Sequence, residues 1–583
     1  MLFRMRHGAG HLHQSAFLVK SKTELANFLL TRWSEMLTVR APLEPKWQEL
    51  ADYCSPRKAE ITTKRDFPDI DKNVRLYDST AVYANTTLAN GQLAYMTPAD
   101  TRWFQFDPPR FMAQEDKVKA WYAQCSDIAQ ATLANSNFYA EVHELYFDDS
   151  TFGTYSLFCD EGTGDNPFVF QSVPICKYAI SENAEGKIDT MFREIELTLL
   201  QAAEKFGEDN LSEQLQGHLR EYRASGKGGT VKHTFLHAIY PRKPGEREAG
   251  KEDPENKPFA SIYIEKSSKH VCMVSGFDEQ PFFAGRHLKH NNSVYGFSPA
   301  WVALADARQL NFLVKQLDAL AETKAFPRML IPATHEGEID LRSAGITYFD
   351  PTNPNAIPRE WATQGDYQIG LEREQRKAEN INRAFHVDMF RMFSELDKQM
   401  TAREVNERAS EKLVQFSPTF ALKTTELFNP LLRRVFGMHL RRGLFPPPPR
   451  EALIMNEATG IPEIPQPEIV YVSRVALAIK GLHNVAMLRT MENTLAMVQV
   501  QPDILDNYDL DKATRGMALN DGVPTEWMRP MDTVEEMRAQ RAEAQRAMQE
   551  QQNQMALADS AAKVGSIKSD SAVGQMLGQQ MAG

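Results

Sequence analysis

A chain of 583 residues exceeds what one hydrophobic core usually serves, so two or more domains are expected. Its 42% hydrophobic and 25% charged content is ordinary for a globular protein, and no apolar run reaches the roughly 18 residues that a membrane span needs. A net charge of −11 weighs against a stationary nucleic-acid binder, which carries a basic excess to neutralise phosphates.

The first stretch, MLFRMRHGAGHLHQSAFLVKSK, has basic residues but no sustained apolar core, so it does not read as a secretory signal. His7, His11 and His13 flank Gly8 and Gly10, which favours a flexible extension over 1–22 in place of a metal site. The five cysteines (Cys54, Cys125, Cys159, Cys176 and Cys272) lack CxxC spacing and read as reduced thiols, without a disulfide framework or a zinc site. Helical periodicity runs over 21–51, anchored by Trp33, Trp47 and Leu50. Ala81, Ala84 and Leu88 predict a closely packed small-residue helix. Thr97-Pro98 closes it, and Trp103, Phe104 and Phe106 enter an extended segment. A helix through Leu145 passes into a strand at Phe152-Gly153-Thr154, and Asp148 and Asp149 read as turn-forming carboxylates in preference to a metal pair.

Strands follow, with a hairpin around Asn183 to Gly186, then a helix through Leu199, Leu200 and Phe206. SGKGGT at 225–230 lacks the GxxxxGK[ST] spacing of a phosphate loop and is taken as a connector. Strands are expected at 234–240 and 261–264, separated by a charged loop over 241–258. A long helix from Pro299 to Thr323 carries Leu304, Leu310, Leu313, Leu317 and Leu320. Phe326-Pro327 breaks it. Short strands are expected at 329–331 and 346–349 among several prolines, and the helix returns near Gln368.

Over 376–396, Ile381, Phe385, Met389, Met392, Phe393 and Leu396 fall three or four apart, which predicts one continuous helix with an apolar face. Asp397, Lys398 and Gln399 interrupt the pattern. Thr401-Ala402-Arg403-Glu404 is a capping box, in which the Thr401 hydroxyl accepts from the Glu404 N–H and Glu404 reaches back to the Thr401 N–H. A second helix should run from there to Gly443, kinked at Pro418 and Pro430. Two helices therefore meet at a short polar hinge.

Pro446 to Pro449 form a stiff spacer. A strand at 468–472 and helices over 474–498 come next. The carboxylates at 506–515 lack the Gly and terminal Glu of a calcium loop, and Asp509 caps a helix beginning near Lys512. Asp532-Thr533-Val534-Glu535 opens a polar helix to about Ala562. Its heptad-like seam of Val534, Met537, Ala544, Met548 and Met555 is interrupted by Arg541 and Gln551, which is weak for an isolated coiled coil. Residues 563–583 have the composition of a disordered tail.

The wording of several blocks resembles the head-to-tail connecting (portal) protein family of short-tailed, double-stranded DNA bacteriophages. These blocks are Tyr77-Asp78-Ser79-Thr80, Arg102-Trp103-Phe104, Phe152-Gly153-Thr154, Pro281-Phe282 with Arg286, and Tyr295-Gly296-Phe297-Ser298-Pro299. AFHVDMF, MTAREVNER and NPLLRRVFGMHLRRGLFPPPP complete them, and the matches span roughly 25–545 in the family's order. The resemblance implies an α+β, mainly α subunit. An α/β wing would occupy 23–297 and 401–473, with stem helices at 298–326 and 373–396. A small α/β clip at 327–372, a tunnel loop at 397–400 and a helical crown at 474–562 complete it.

It further implies a homo-oligomeric ring, commonly of twelve subunits, at one capsid vertex. Double-stranded DNA would be packaged, retained and ejected through that ring. Implied partners are the terminase large subunit, a tail adaptor, scaffold and major capsid protein, and internal core or ejection proteins, with no membrane. The implied location is the virion, after synthesis in the host bacterial cytoplasm. Arg383, Arg391, Asp397, Lys398 and Gln399 would lie at the DNA channel, with Thr401 and Glu404 capping the hinge. No catalytic residue, metal or cofactor is implied. The sequence agrees in offering no phosphate loop, metal-ligand spacing or GxSxG elbow. Another non-enzymatic vertex or tail component, or an enzyme of DNA metabolism, stays open as an alternative.

Overall fold

A computed structural model describes residues 21–62, 76–112, 116–162, 167–248, 251, 253–291, 293–325, 329–331, 352, 359–360, 367–392, 416–455, 462–498, 506–520, 523, 527–529 and 531–565. The chain divides into two units, 1–482 and 483–583.

The first unit is α+β and rests on antiparallel sheets. Tyr178–Glu182, Ile188–Thr198, Lys232–Pro241, Phe259–Glu265 and His270–Phe277 form a five-stranded sheet in chain order, each strand hydrogen-bonded to the next. Alternation sorts its side chains by face. Phe192, Leu236, Ala238, Ile262 and Ile264 pack against Leu29, Trp33 and Met36 of the Lys22–Arg40 helix. Phe235 and Tyr263 pack with Phe206, Leu215 and Leu219 of the Leu199–Phe206 and Glu213–Ser225 helices. The expected hairpin is present, and its turn closes at Gly186 with φ 74°.

The helix expected over 21–51 is two helices, Lys22–Arg40 and Glu44–Cys54. Ser21 provides a capping box with Glu24 for the first, and Pro42 and Pro45 fall around the break. A three-stranded sheet (Phe168–Ser172, Thr154–Glu161, Phe282–Arg286) packs in the main core with the Thr80–Met96 and Phe138–Phe152 helices. The aromatic strand Phe104–Asp107 pairs with Glu468–Tyr471, so a strand from the first quarter of this unit shares a sheet with one near its C-terminal end. All five cysteines are free thiols, and burial pushes that of Cys54 up to about 12.

Two sequence expectations are corrected. Asp148 and Asp149 do not lie in a turn. Both are buried inside the Phe138–Phe152 helix, which ends at Gly153 in the left-handed region. They tolerate burial because each has a cation, Lys58 for Asp148 and Lys423 for Asp149. The continuous helix expected over 376–396 is broken: Tyr367–Ala384 stops, His386 adopts φ 54°, and a new helix covers Val387–Met392. Of the expected strands at 329–331 and 346–349, the first is seen at Met329–Leu330. It pairs with Arg359–Glu360, and 346–349 lie outside the described residues.

In the second unit Asp509 caps the Leu510–Asn520 helix as expected, its Oδ1 accepting from the Lys512 N–H at 3.0 Å. Arg538, on the Met531–Gly565 helix, pairs with Asp511 through both guanidinium nitrogens at 2.6 and 2.8 Å. Met548 and Met555 of the heptad-like seam are exposed. Among the described residues no helix is long and apolar enough to cross a membrane.

Candidate functional site

The Pro299–Ala325 and Tyr367–Ala384 helices lie side by side and antiparallel. Asp306 pairs with Lys377 at 2.6 Å, Leu317 meets Gly370, and Lys324 sits 5.9 Å from the centre of the Tyr367 ring. A Cβ at Gly370 would lie 2.4 Å from Leu317 Cδ2, so the glycine permits the close approach. Leu304, Leu310 and Leu317 supply the buried stripe that their spacing in the sequence predicts.

At the end of the second helix the chain bends. Ile381 and Phe385 are buried, as the spacing predicts, but after His386 the core-facing residues become Val387, Met389 and Phe390. Phe390 sets this geometry. Its ring lies over Gly91 of the small-residue helix, where any Cβ would come within 2.3 Å, and beside Tyr95 at 5.8 Å between ring centres. A straight helix could not place both Phe385 and Phe390 in the core, because five residues amount to about 500° of turn and leave the two side chains well apart around the helix.

The described residues resume at Phe416, which touches the bend. Its ring stands edge-on to His386 at 5.9 Å and to Phe390 at 6.4 Å. The next helix is α over Ser417–Lys423, π over Thr424–Phe428 and α again over Asn429–Arg441. Pro418 sits in the first turn of the described Ser417–Lys423 helix, and the 401–415 portion against which a kink was expected lies outside the described residues. Pro430 lies two residues after the π turn, within the first turn of Asn429–Arg441, where its missing N–H is tolerated. Gly443, at φ 65°, ends it, and the Leu444 N–H donates to the His439 carbonyl.

Beneath this helix lies a buried ionic cluster. Asp149 Oδ2 accepts from Gln92 Nε2 at 3.1 Å and from His287 Nδ1 at 2.9 Å, and it forms an ion pair with Lys423 Nζ at 2.5 Å. Burial by itself would raise the Asp149 carboxyl, but Lys423 and His287 hold it below the usual carboxylate range. Burial draws the Lys423 ammonium below its ordinary value, opposed by Asp149, and the ring of Tyr155 lies 4.9 Å away as a further partner for the cation. Next to it, Glu426 accepts from the Arg286 backbone N–H at 2.8 Å and pairs with its guanidinium at 2.5 Å, while Arg286 also pairs with Glu182.

Of the residues singled out in the sequence, Arg383 is exposed in the last turn of Tyr367–Ala384. Arg391 belongs to the Val387–Met392 helix. Asp397, Lys398, Gln399, Thr401 and Glu404 lie outside the described residues. The ionic cluster was missed by sequence reasoning. A signal existed: Phe420, Lys423 and Leu427 recur at helical spacing, so Lys423 occupies an apolar face, where a charge must have a partner.

These features define an α+β, mainly α chain, in which a long antiparallel helix pair leads into a bend at His386, and the residues at that bend and from Phe416 onward pack into one core of sheets and helices. The chain belongs to the bacteriophage head to tail connecting protein family, whose family model matches residues 26–528. It is 28% identical over 550 residues to the probable portal protein of Bordetella phage BPP-1, covering 92% of this chain and 95% of that one. It is 27% identical over 533 residues to the portal protein of Salmonella phage epsilon15, covering 89% and 92%. A solved gene transfer agent virion contains a chain aligned at 11% identity and TM-score 0.34, covering 71% of this chain and 85% of that one.

Proposed function

We propose that this chain is the portal subunit of a phage, a non-enzymatic protein that forms a ring at one capsid vertex, through which double-stranded DNA is packaged, retained and ejected. The observation that carries the reading is the family match over 26–528, joined by relatives named as portal proteins that align along nearly their whole lengths. A closed ring requires heterologous contacts, one face of a subunit meeting a different face of the next. Twelve copies is the number proposed, with the terminase large subunit, tail adaptor, scaffold, major capsid protein and internal core proteins as partners.

On this reading 23–297 and 401–473 are the wing, 298–326 and 373–396 the stem, 327–372 the clip and 474–562 the crown. The antiparallel pairing of Pro299–Ala325 with Tyr367–Ala384, joined through a segment with a small β-pair, supports the stem and clip assignments. The tunnel loop is 397–400, with Arg383, Arg391, Asp397, Lys398 and Gln399 toward the channel. An acidic chain suits a conduit, because tight phosphate contacts would impede sliding.

Negative-stain imaging of the purified chain tests the reading. A ring with a bore wide enough for a duplex is expected, whereas a solitary globule or a particle without a bore refutes it. Deleting Asp397 to Gln399 should leave the ring intact and impair packaging or retention. Normal packaging by that variant would refute the hinge assignment.

A further inference from the structure

The π turn at Thr424–Phe428 holds one residue more than an α-helical turn would. Contracting it would rotate the preceding Ser417–Lys423 segment by about 100° and shift it by about 1.5 Å relative to the Asn429–Arg441 segment. We propose that this turn is a register lock: the buried pairs Lys423–Asp149 and Glu426–Arg286 hold the extra residue in place and thereby fix the azimuth at which the chain emerges from segment 393–415.

Four observations carry the proposal. The downstream helix is fastened independently: Arg434 donates to the carbonyls of Cys159 at 3.2 Å and Glu279 at 3.3 Å, and Arg441 pairs with Glu279. Only the upstream half can therefore change register. The turn is chemically prepared. The Asn429 N–H donates to the Thr424 carbonyl, five residues back. The Thr424 hydroxyl donates to the Phe420 carbonyl at 2.9 Å and that of Thr425 to the Leu422 carbonyl at 3.0 Å. Third, the ion pairs stand at the upstream edge of the turn and within it. A rotation of about 100° would carry the Lys423 ammonium away from Asp149 and leave a buried charge without its counter-ion.

Lastly, the lock communicates with the other flank of the hinge. Phe416, one residue upstream of the helix, touches His287, which also donates to Asp149, and touches His386 at the bend before the hinge. Described residues on both sides of 393–415, His386 and Phe416, thus bear on the same buried cluster. That the lock sets the posture of a channel-lining segment rests on the function proposed above. The lock itself does not.

Hydrogen exchange of the full-length chain tests it, read peptide by peptide in the wild type and in the Lys423→Met/Asp149→Asn pair. That variant removes both charges and leaves the approximate volumes. Exchange across 417–428 should quicken roughly tenfold while 432–441 and the five-stranded sheet keep their wild-type rates. Adding Pro430→Ala to the pair should reverse the sign, because an unlocked helix free of proline can close into continuous α geometry and protect 424–430. Pro430→Ala alone should leave the turn in place, since the ion pairs still hold it. Unchanged rates over 417–428 in the neutralised pair would overturn the lock, as would equal acceleration of 432–441. If the neutralised pair does not fold, Glu426→Gln is the substitute. It leaves Arg286 paired with Glu182, and the same local acceleration is required of it. A portal without a bore would sink the proposed function and leave these exchange results untouched.

Discussion

Gly91→Ala perturbs the contact that bends the chain before the hinge. In an exposed helix interior the change would stabilise by about 1 kcal/mol, because alanine loses less backbone entropy than glycine. Here the new Cβ would lie 2.3, 2.5 and 2.6 Å from three atoms of the Phe390 ring. That is more than an ångström inside ordinary contact, and Phe390 is itself confined by Tyr95 and Phe416. Overpacking of this kind costs about 1–3 kcal/mol, and the depth of the overlap points to the upper end. The net expectation is a loss of about 2 kcal/mol, felt first as faster opening of Val387–Met392. In a Phe390→Leu background the obstruction is gone, so Gly91→Ala should become neutral or stabilising by up to about 1 kcal/mol. The coupling in the double-mutant cycle should then be about 2–3 kcal/mol. Native-state hydrogen exchange at 387–392 in the four proteins gives each opening free energy. A Gly91→Ala effect that is the same in both backgrounds would refute the reasoning.

Gly153→Ala should be worse than an ordinary core change. Gly153 has φ 76°, and its Cβ would meet the backbone of Phe297 and Ser298 at 2.5 and 2.7 Å, where nothing can rotate away. The left-handed conformation adds about 1–2 kcal/mol to an overpacking cost of about 1–3 kcal/mol, so urea unfolding should show a lowered midpoint with an unchanged slope. His237 is buried, its Nδ1 accepting from Arg193 Nε at 3.1 Å and its Nε2 within 2.9 Å of Ser261 Oγ. Burial, then the charge of Arg193, hold its pKa well below the ordinary 6.5. The unfolded chain therefore takes up a proton at His237 below pH 6.5 that the folded chain refuses. Stability should fall with decreasing pH by up to about 1.4 kcal/mol per unit from this group, and be independent of it above that range. His237→Gln should remove one proton's worth of that slope between pH 7 and pH 5, measured by urea midpoints, and an unchanged slope would count against the assignment. Thr401→Ala should cost about 1 kcal/mol of local helix stability if the capping box forms. Unchanged exchange after residue 401 would argue against the cap.

Much of this protein is determined by local sequence. The small-residue helix, the Asn183–Gly186 hairpin, the Asp509 cap, the Gly443 stop and the long leucine helix come from periodicity, turn chemistry and capping, which act within a few residues. So does the break at Thr97-Pro98, because proline's missing N–H is a local fact. The bend at His386 was not legible in the same way. Its cause is a notch at Gly91, some 300 positions away, and the local spacing of Ile381, Phe385 and Met389 fits a straight helix equally well. Asp148 and Asp149 were misread for the same reason. Two adjacent carboxylates favour a turn until tertiary structure brings Lys58 and Lys423 to them, and only then can a helix bury them. Local propensity and patterning, which add up along the chain, mark by themselves where helices, turns and caps fall. Tertiary structure decided the bend at His386 and the burial of Asp149 and Lys423, because the cost of a buried charge or a filled notch depends on partners that only folding brings near.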